Sequence, residues 1–445
     1  MRRLGSSVPR ASKTPTDSDA ASDAGTPSKA VRRHKRRTYY KRATLVVAVV
    51  MIPVGYSYVN ALMGPGTDSL QARSVEWARD HYLSGVVDRV EQYWYSHHQA
   101  PVGGTPNPNQ ISPQLAGAVA EPTPRATTPS ATTEVGAPVD SVDATPASLP
   151  GIDTGVTATT CATCQPAAPA PGAPADLVSP ASPPIPNEGH FEPFATSTGM
   201  YVTLIRPDAV HTSSLVAVVW MNPKVVSFRH YPGLKVPGRP WDRPPNVEPD
   251  RQQKLVAAFS GGFRMNDDSS NGGMILGGQT LRAMRVGGAT LAIDQSGVPH
   301  LGIWGRDINP QVGFDSARQN LDLVVDNGAP VPDLATDPNK KWGFTGPANK
   351  SATWRSGVGI NAAGDLIWVG GPGLTVVSLA DILVRAGAIR GMQLEINQEW
   401  VQLNTYAPDA SGTVHGKQLL SGMEHNGDRW LTPDTRDFVA VFNRA

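Results

Sequence analysis

The last 259 or so residues of this chain predict an α+β domain with a mainly antiparallel or mixed sheet. Three observations predict it. Short apolar, β-branched runs dominate residues 187–445, few of them alternate with helical segments, and Asn327-Gly328 between two such runs marks a tight hairpin. That stretch is long enough to bury one core.

The runs read as strands over Met200–Arg206, Ser214–Met221, Val225–Arg229, Leu255–Phe259, Leu281–Met284 and Ala289–Ile293. Further runs follow over Leu321–Val325, Val358–Asn361, Leu366–Val369, Met392–Ile396, Val401–Asn404 and Phe438–Phe442. Two segments read as helical. Phe314–Asn320 is short. Leu379–Ala386 carries Ser378 as an N-cap, Asp381 three residues on, and Gly387 to close it. No internal repeat is evident.

The organisation before the domain is set by charge and composition. The chain has 445 residues and a net charge of +1. Residues 1–42 hold 12 Lys/Arg and 3 Asp/Glu, or +9, so the remainder sums to −8 and carries no basic patch for nucleic acid. Residues 1–42 read as a disordered basic cytoplasmic tail. Ala43–Met63 then runs 21 residues without a charge, the length of a transmembrane helix. Its N-terminal cations predict a cytoplasmic N-terminus, an exterior C-terminal domain, and a bilayer partner. A cleaved signal peptide with Val59-Asn60-Ala61 as its site, a twin-arginine signal around Arg36-Arg37, and a buried core helix are the alternatives. Residues 64–99 form a juxtamembrane element: Leu70, Val75, Ala78, Tyr82, Val86 and Val90 recur at helical spacing. Such a helix lies on the outer leaflet, self-associates, or simply packs. Residues 100–186, rich in Pro, Ala and Thr, read as a disordered spacer. Cys161 and Cys164, the only cysteines, fall inside it and predict an exterior disulfide rather than a redox motif or a zinc site.

Several stretches of the domain carry side chains suited to chemistry. Arg390–Trp400 (RGMQLEINQEW) reads as a strand that delivers Glu395, Asn397 and Glu399 to a sheet end, where a rigid element aims them; an edge strand with solvated charges is the plainer reading. Gly261-Gly262 ends an apolar strand and permits a sharp turn or close ligand approach; Arg264 follows, placed to grip an anion. Arg355, at the start of another strand, could hold a phosphate or carboxylate in a fork, or form an ordinary ion pair. His425, in a loop, is an acid/base candidate near neutral pH. Asn266–Gly273 imitates a calcium loop, but Gly278 stands where the closing acid belongs, which excludes an EF-hand site. No GxSxG, HExxH or Walker pattern occurs, which removes the commonest serine-hydrolase, metalloprotease and nucleotide-binding readings. No cofactor is assigned by any motif, and no metal is expected.

In their order these pieces resemble the phosphodiester glycosidase domain, a family related to the enzyme that uncovers mannose 6-phosphate by removing N-acetylglucosamine. That family's Asn-Gly-Gly-Phe turn is matched by Ser260-Gly261-Gly262-Phe263, and its Leu-Val strand by Leu323-Val324-Val325 with Asp326-Asn327-Gly328. Its Arg-Thr-Ala-Ile-Gly strand is matched by Arg355-Ser356-Gly357-Val358-Gly359, its Leu-x-Glu-Leu helix by Leu379–Leu383, and its Asp-Gly-Gly-Gly-Ser strand end by Glu395–Glu399. Two departures stand out: Ser260 replaces Asn, and Glu395-Ile396-Asn397-Gln398-Glu399 keeps an acid but loses the glycine loop.

The resemblance implies a sugar-1-phosphodiester or related envelope glycan as substrate. Such hydrolysis needs a proton donor and a second carboxylate. Glu395 is the first expectation, Glu399 or Asp326 the second, and His425 a spare acid/base. Arg264 and Arg355 would neutralise phosphate, and Gly261, Gly262 and Asn397 would contact substrate. A non-catalytic module that docks on envelope glycan is the alternative, favoured by the lost glycine loop.

Overall fold

The computed structural model describes Tyr39, Val49 and residues 51–107, 172–265, 272–337, 341–343 and 350–444. The cysteines, most of the spacer, residues 266–271 of the calcium-like loop and most of residues 1–50 lie outside the described residues. The chain divides into two compact units, Met1–Met63 and Gly64–Ala445. In the first, residues 51–62 are helical; among the described residues no helix is long and apolar enough to cross a membrane.

The second unit opens with two helices, α1 (Leu70–Asp80) and α2 (Ser84–His97). The helical spacing predicted one element; Tyr82, at φ 65°, breaks it. Strands then follow: β1 (Glu192–Phe194), β2 (Ser197–Ile205), β3 (Val216–Met221), β4 (Val226–Tyr231), and, after the short α3 (Pro249–Gln252), β5 (Leu255–Ser260), β6 (Met274–Leu276) and β7 (Gln279–Arg282). Next come β8 (Ala289–Ile293), β9 (Pro299–Ile303), β10 (Ser316–Gln319), β11 (Leu323–Asp326), β12 (Ala329–Pro330), β13 (Thr353–Asn361) and β14 (Leu366–Leu374). Helix α4 (Val376–Arg385) precedes β15 (Ala388–Ile396), β16 (Leu403–Pro408), β17 (Val414–Gln418) and β18 (Phe438–Asn443).

Three antiparallel sheets result. One has eight strands in the order β1-β2-β3-β14-β13-β15-β11-β12; the others run β7-β6-β10-β8-β9 and β17-β16-β5-β18-β4. Both faces of the large sheet are buried, which explains why its strands read as continuous apolar runs. On β2, β3 and β14, alternate residues divide between two cores. Met200, Val202, Val219 and Trp368 face the core shared with β5 and β18. Tyr201, Val218, Ile367 and Val369 face the core under α4. The α4 residues Val376, Leu379, Ala380 and Leu383 fill that second core at helical spacing.

Local chemistry accounts for the turns. Asn327 (φ 51°) and Gly328 (φ 73°) form the anticipated β11–β12 hairpin. The cap of α4 differs from the expected one: Thr375 is the N-cap, and Ser378 reaches back to its amide to complete a capping box. The anticipated helix over Phe314–Asn320 is instead β10, four buried residues paired to both β6 and β8. So short a run shows no usable period, and partners distant in sequence decide it. The compact unit also begins earlier than residue 187. Leu177 and Ala181 are buried, and Arg206 binds Glu188 at 2.9 Å and the Ala181 carbonyl at 3.0 Å.

Candidate functional site

The end of β15 is positioned by its neighbour β13, whose Arg355 pairs in register with Ile396, while β11 pairs the other edge only as far as Met392. The side chain of Asn320 clamps the strand from behind, donating to the carbonyls of Gln393 (2.8 Å) and Leu394 (2.9 Å) and accepting from the Phe263 amide at 3.1 Å. Asn397 leaves the strand at φ 76°, a left-handed conformation that Asn adopts more readily than most residues. This turn presents Glu395, Asn397, Glu399 and Trp400 to a cavity of about 900 Å³. Phe263, Arg264, Trp354 and Arg436 complete its domain-side wall, while α1 and α2 line the opposite side with residues including Glu76, Trp94 and Tyr95.

Glu395 is the chemically distinctive group. It is 2% exposed, and its Oε1 has no hydrogen-bond partner among the described residues. Burial pushes its pKa up to about 8; Arg436 opposes this, Asp437 adds to it, and Arg318 and Arg429 oppose it further. The carboxyl is therefore protonated at neutral pH and can donate a proton. Glu399 is also pushed up by burial, against hydrogen bonds from Ser69. Its two oxygens accept from the Ser69 amide (2.9 Å) and hydroxyl (2.8 Å).

Arg436 supplies the cation that most lowers the Glu395 pKa. It is buried, its guanidinium carbon lies 3.9 Å from the centre of the Trp400 ring, and its Nη2 is 3.1 Å from Glu76. Beneath it, Asp437 receives Arg318 at 2.9 Å, and Arg318 also donates to the carbonyls of Gln319 and Phe263. Sequence reading passed over this group. The signal that could have found it is Asp434-Thr435-Arg436-Asp437, three charges set directly before the apolar β18.

The remaining candidates divide. Arg264 lines the cavity and pairs with Asp80 of α1. Arg355 does not line it: fully buried, it donates to the Leu374 carbonyl (3.0 Å) and to Gln393 Oε1 (2.8 Å), and burial pushes its pKa down to about 9, with Tyr95 opposing. Its neighbour Trp354 faces the cavity instead. Asp326 sits at the far end of β15, in register with Arg390 and paired with Arg306 at 2.8 Å. Five steps of strand lead from Arg390 to Glu395, roughly 16 Å, so Asp326 does not share the cavity with Glu395. His425 is within 3.7 Å of Glu399, but burial first and then Arg429 push its pKa down to about 3. It is neutral near pH 7 and does not titrate there.

Gly261 and Gly262 serve the backbone rather than the cavity wall. A Cβ on Gly261 would stand 2.3 Å from Asp437 Oδ2, and one on Gly262 (φ 137°) would stand 3.1 Å from Asn320. The glycines thus let this turn approach the two residues that hold the site. Gly261→Ala is expected to destabilise the fold by about 1–3 kcal/mol, read as a lower denaturant midpoint at unchanged slope. An unchanged midpoint would show that Asp437 has room to move.

No protein-family model matches the chain, and no curated protein matches it. Solved structures do. The catalytic domain of zebrafish N-acetylglucosamine-1-phosphodiester alpha-N-acetylglucosaminidase, auto-inhibited by its pro-peptide, is 13% identical, with 57% of this chain and 86% of that one covered at a TM-score of 0.36. A hypothetical protein from Synechocystis is 14% identical over 57% of this chain and 64% of that one, at a TM-score of 0.34. A putative exported protein from Burkholderia pseudomallei is 14% identical over 52% and 74%, at 0.30.

Proposed function

We propose that the domain is a hydrolase of the phosphodiester glycosidase type, acting on a sugar-1-phosphodiester or related envelope glycan. The observation that carries this reading is the buried Glu395, its Oε1 without a hydrogen-bond partner among the described residues, at the wall of an aromatic-lined cavity that also holds Glu399, Arg264 and Arg436. Trp354, Trp400 and Phe263 offer flat apolar faces for sugar rings.

In the proposed reaction, Glu395 protonates the oxygen that joins the sugar to phosphate as the bond to the anomeric carbon breaks. A water molecule adds to that carbon, and Glu399, once free of Ser69, takes its proton. Arg264 and Arg436 offset the charge that builds on the departing phosphomonoester. The free sugar and the phosphomonoester leave, and one proton has passed from Glu395 to Glu399.

The test is a panel of sugar-1-phosphodiesters offered to the full chain and to its Glu76→Ala variant, in which α1 is loosened over the cavity. Turnover that Glu395→Gln removes supports the enzyme. Saturable glycan binding without turnover by either chain overturns it in favour of a non-catalytic binding module, which the lost glycine loop would suit.

Ala43–Met63 is proposed as the membrane anchor, supported by its uncharged length and the basic cluster before it. The full chain is expected in the membrane fraction after an alkaline wash. Release by that wash would overturn the anchor, as would unchanged retention after deletion of residues 43–63.

A further inference from the structure

The cations of the cavity are already met by the chain's own α1. Glu76, buried on that helix, pairs with Arg436 at 3.1 Å and with Lys235. Arg264 reaches the Glu76 carbonyl at 3.5 Å and pairs with Asp80. Burial alone would raise the pKa of Glu76; Arg436 and Lys235 outweigh it and hold the group ionised. At the N-cap of the helix, Ser69 gives both its amide and its hydroxyl to Glu399. Thr67 and Asp68 extend the contact: Thr67 bonds His425 and Asp434 at 2.9 Å each, and Asp68 accepts from Thr435 at 2.7 Å.

This seating is mainly polar. The buried residues of α1 are Ala72, Arg73 and Glu76, α2 has none, and the apolar contact α2 adds is the partly buried Tyr95 against Ile396 and Phe263. A helix pair held by so little apolar packing and by ion pairs opens more readily than one set into a core. The two helices are tied to each other, because Arg79 of α1 pairs with Asp88 (3.0 Å) and Glu91 (2.8 Å) of α2.

We propose that α1 is a built-in competitor for this cavity, with Glu76 seated in a phosphate subsite made by Lys235, Arg264 and Arg436. This rests on the hydrolase reading and names the substrate feature that the site recognises. Helix α1 presents a hydroxyl to Glu399 and, seven residues later, an anion to three cations, a separation of about 10 Å along the axis. A phosphorylated glycan carries the same two groups, a sugar hydroxyl and a phosphate. Such a ligand displaces the helix by replacing both contacts, against an intramolecular rival present at millimolar effective concentration.

The probes are inorganic phosphate and glucose 1-phosphate, titrated by calorimetry into the full chain in chloride buffer. Glu76→Ala is expected to tighten phosphate binding at least about tenfold, because the rival carboxylate is gone and the three cations remain. Equal phosphate affinity in the two proteins overturns the competitor. Glucose 1-phosphate binding to the variant more tightly than inorganic phosphate supports a glycan ester as the ligand; no tighter binding overturns that assignment. If the variant does not fold, hydrogen exchange on the unaltered chain decides. Phosphate should speed exchange across residues 70–97 beyond chloride at equal ionic strength, and unchanged protection overturns the idea. Tighter phosphate binding without turnover of any phosphodiester keeps the competitor and removes the hydrolase reading. Turnover with unaltered phosphate affinity does the reverse.

Discussion

Glu395→Gln should lower turnover of a sugar-1-phosphodiester by about 10²–10⁴-fold, the usual contribution of a positioned proton donor. Gln keeps the size and the polar end of Glu, so a loss reports the missing proton rather than a collapsed wall. The pH profile supplies an independent check. With a pKa of about 8, the native enzyme should hold its rate below that pH and lose it above, as the donor ionises. Any residual rate of the variant should lack this alkaline limb. Stability gives a third reading with its own sign. In the unfolded chain Glu395 ionises near 4.5, while in the fold it stays protonated to about 8. Between these values the unfolded state binds fewer protons, so native stability declines as pH rises through this window. The melting-temperature advantage of Glu395→Gln over the native protein should therefore grow from pH 5 to pH 8. A difference that stays constant with pH would refute a buried, protonated carboxyl at this position.

Asp437→Ala should cost about 3–5 kcal/mol, because it strands the guanidinium of Arg318 in the interior. Arg318 and Asp437 are each almost wholly enclosed and 2.9 Å apart, and Gly261 is seated directly against the carboxylate. The loss should appear in chemical denaturation as a lower midpoint. Replacing both partners by apolar residues of similar volume should be milder than removing either one. The pair also tunes the site. Asp437 raises the Glu395 pKa and Arg318 lowers it, so a folded Arg318→Met enzyme should shift its alkaline limb upward and a folded Asp437→Leu enzyme downward. Shifts in the opposite directions would separate the pair from the catalytic carboxyl.

How far the sequence could be read varied with the range of the interactions involved. The β11–β12 hairpin was legible because Asn327 and Gly328 adopt left-handed backbone angles by their own chemistry. Helix α4 was legible from its 3.6-residue period, though its cap shifted from Ser378 to Thr375 once the reciprocal bond between them formed. Strand β10 was misread because its four residues are ordered by β6 and β8 rather than by any local pattern. Within the site, the turn after β15 could be anticipated from Glu395, Asn397 and Glu399 standing together. Arg355 and Asp326 could not be excluded, since nothing local reveals that one is enclosed by Gln393 and the other drawn to Arg306.

What the sequence by itself determined was the class of the fold: apolar runs of strand length, turn residues between them, and one well-marked helix. These follow from backbone preferences and side-chain periodicity, which act over a few residues. Only the tertiary structure decided that Arg436 and Glu395 share a cavity, that His425 is held neutral, and that α1 seats its own carboxylate among the cations. Each of those depends on burial and on charges brought together across hundreds of residues. Desolvation and Coulomb energies are set by distance in space, and spacing along the chain does not encode that distance.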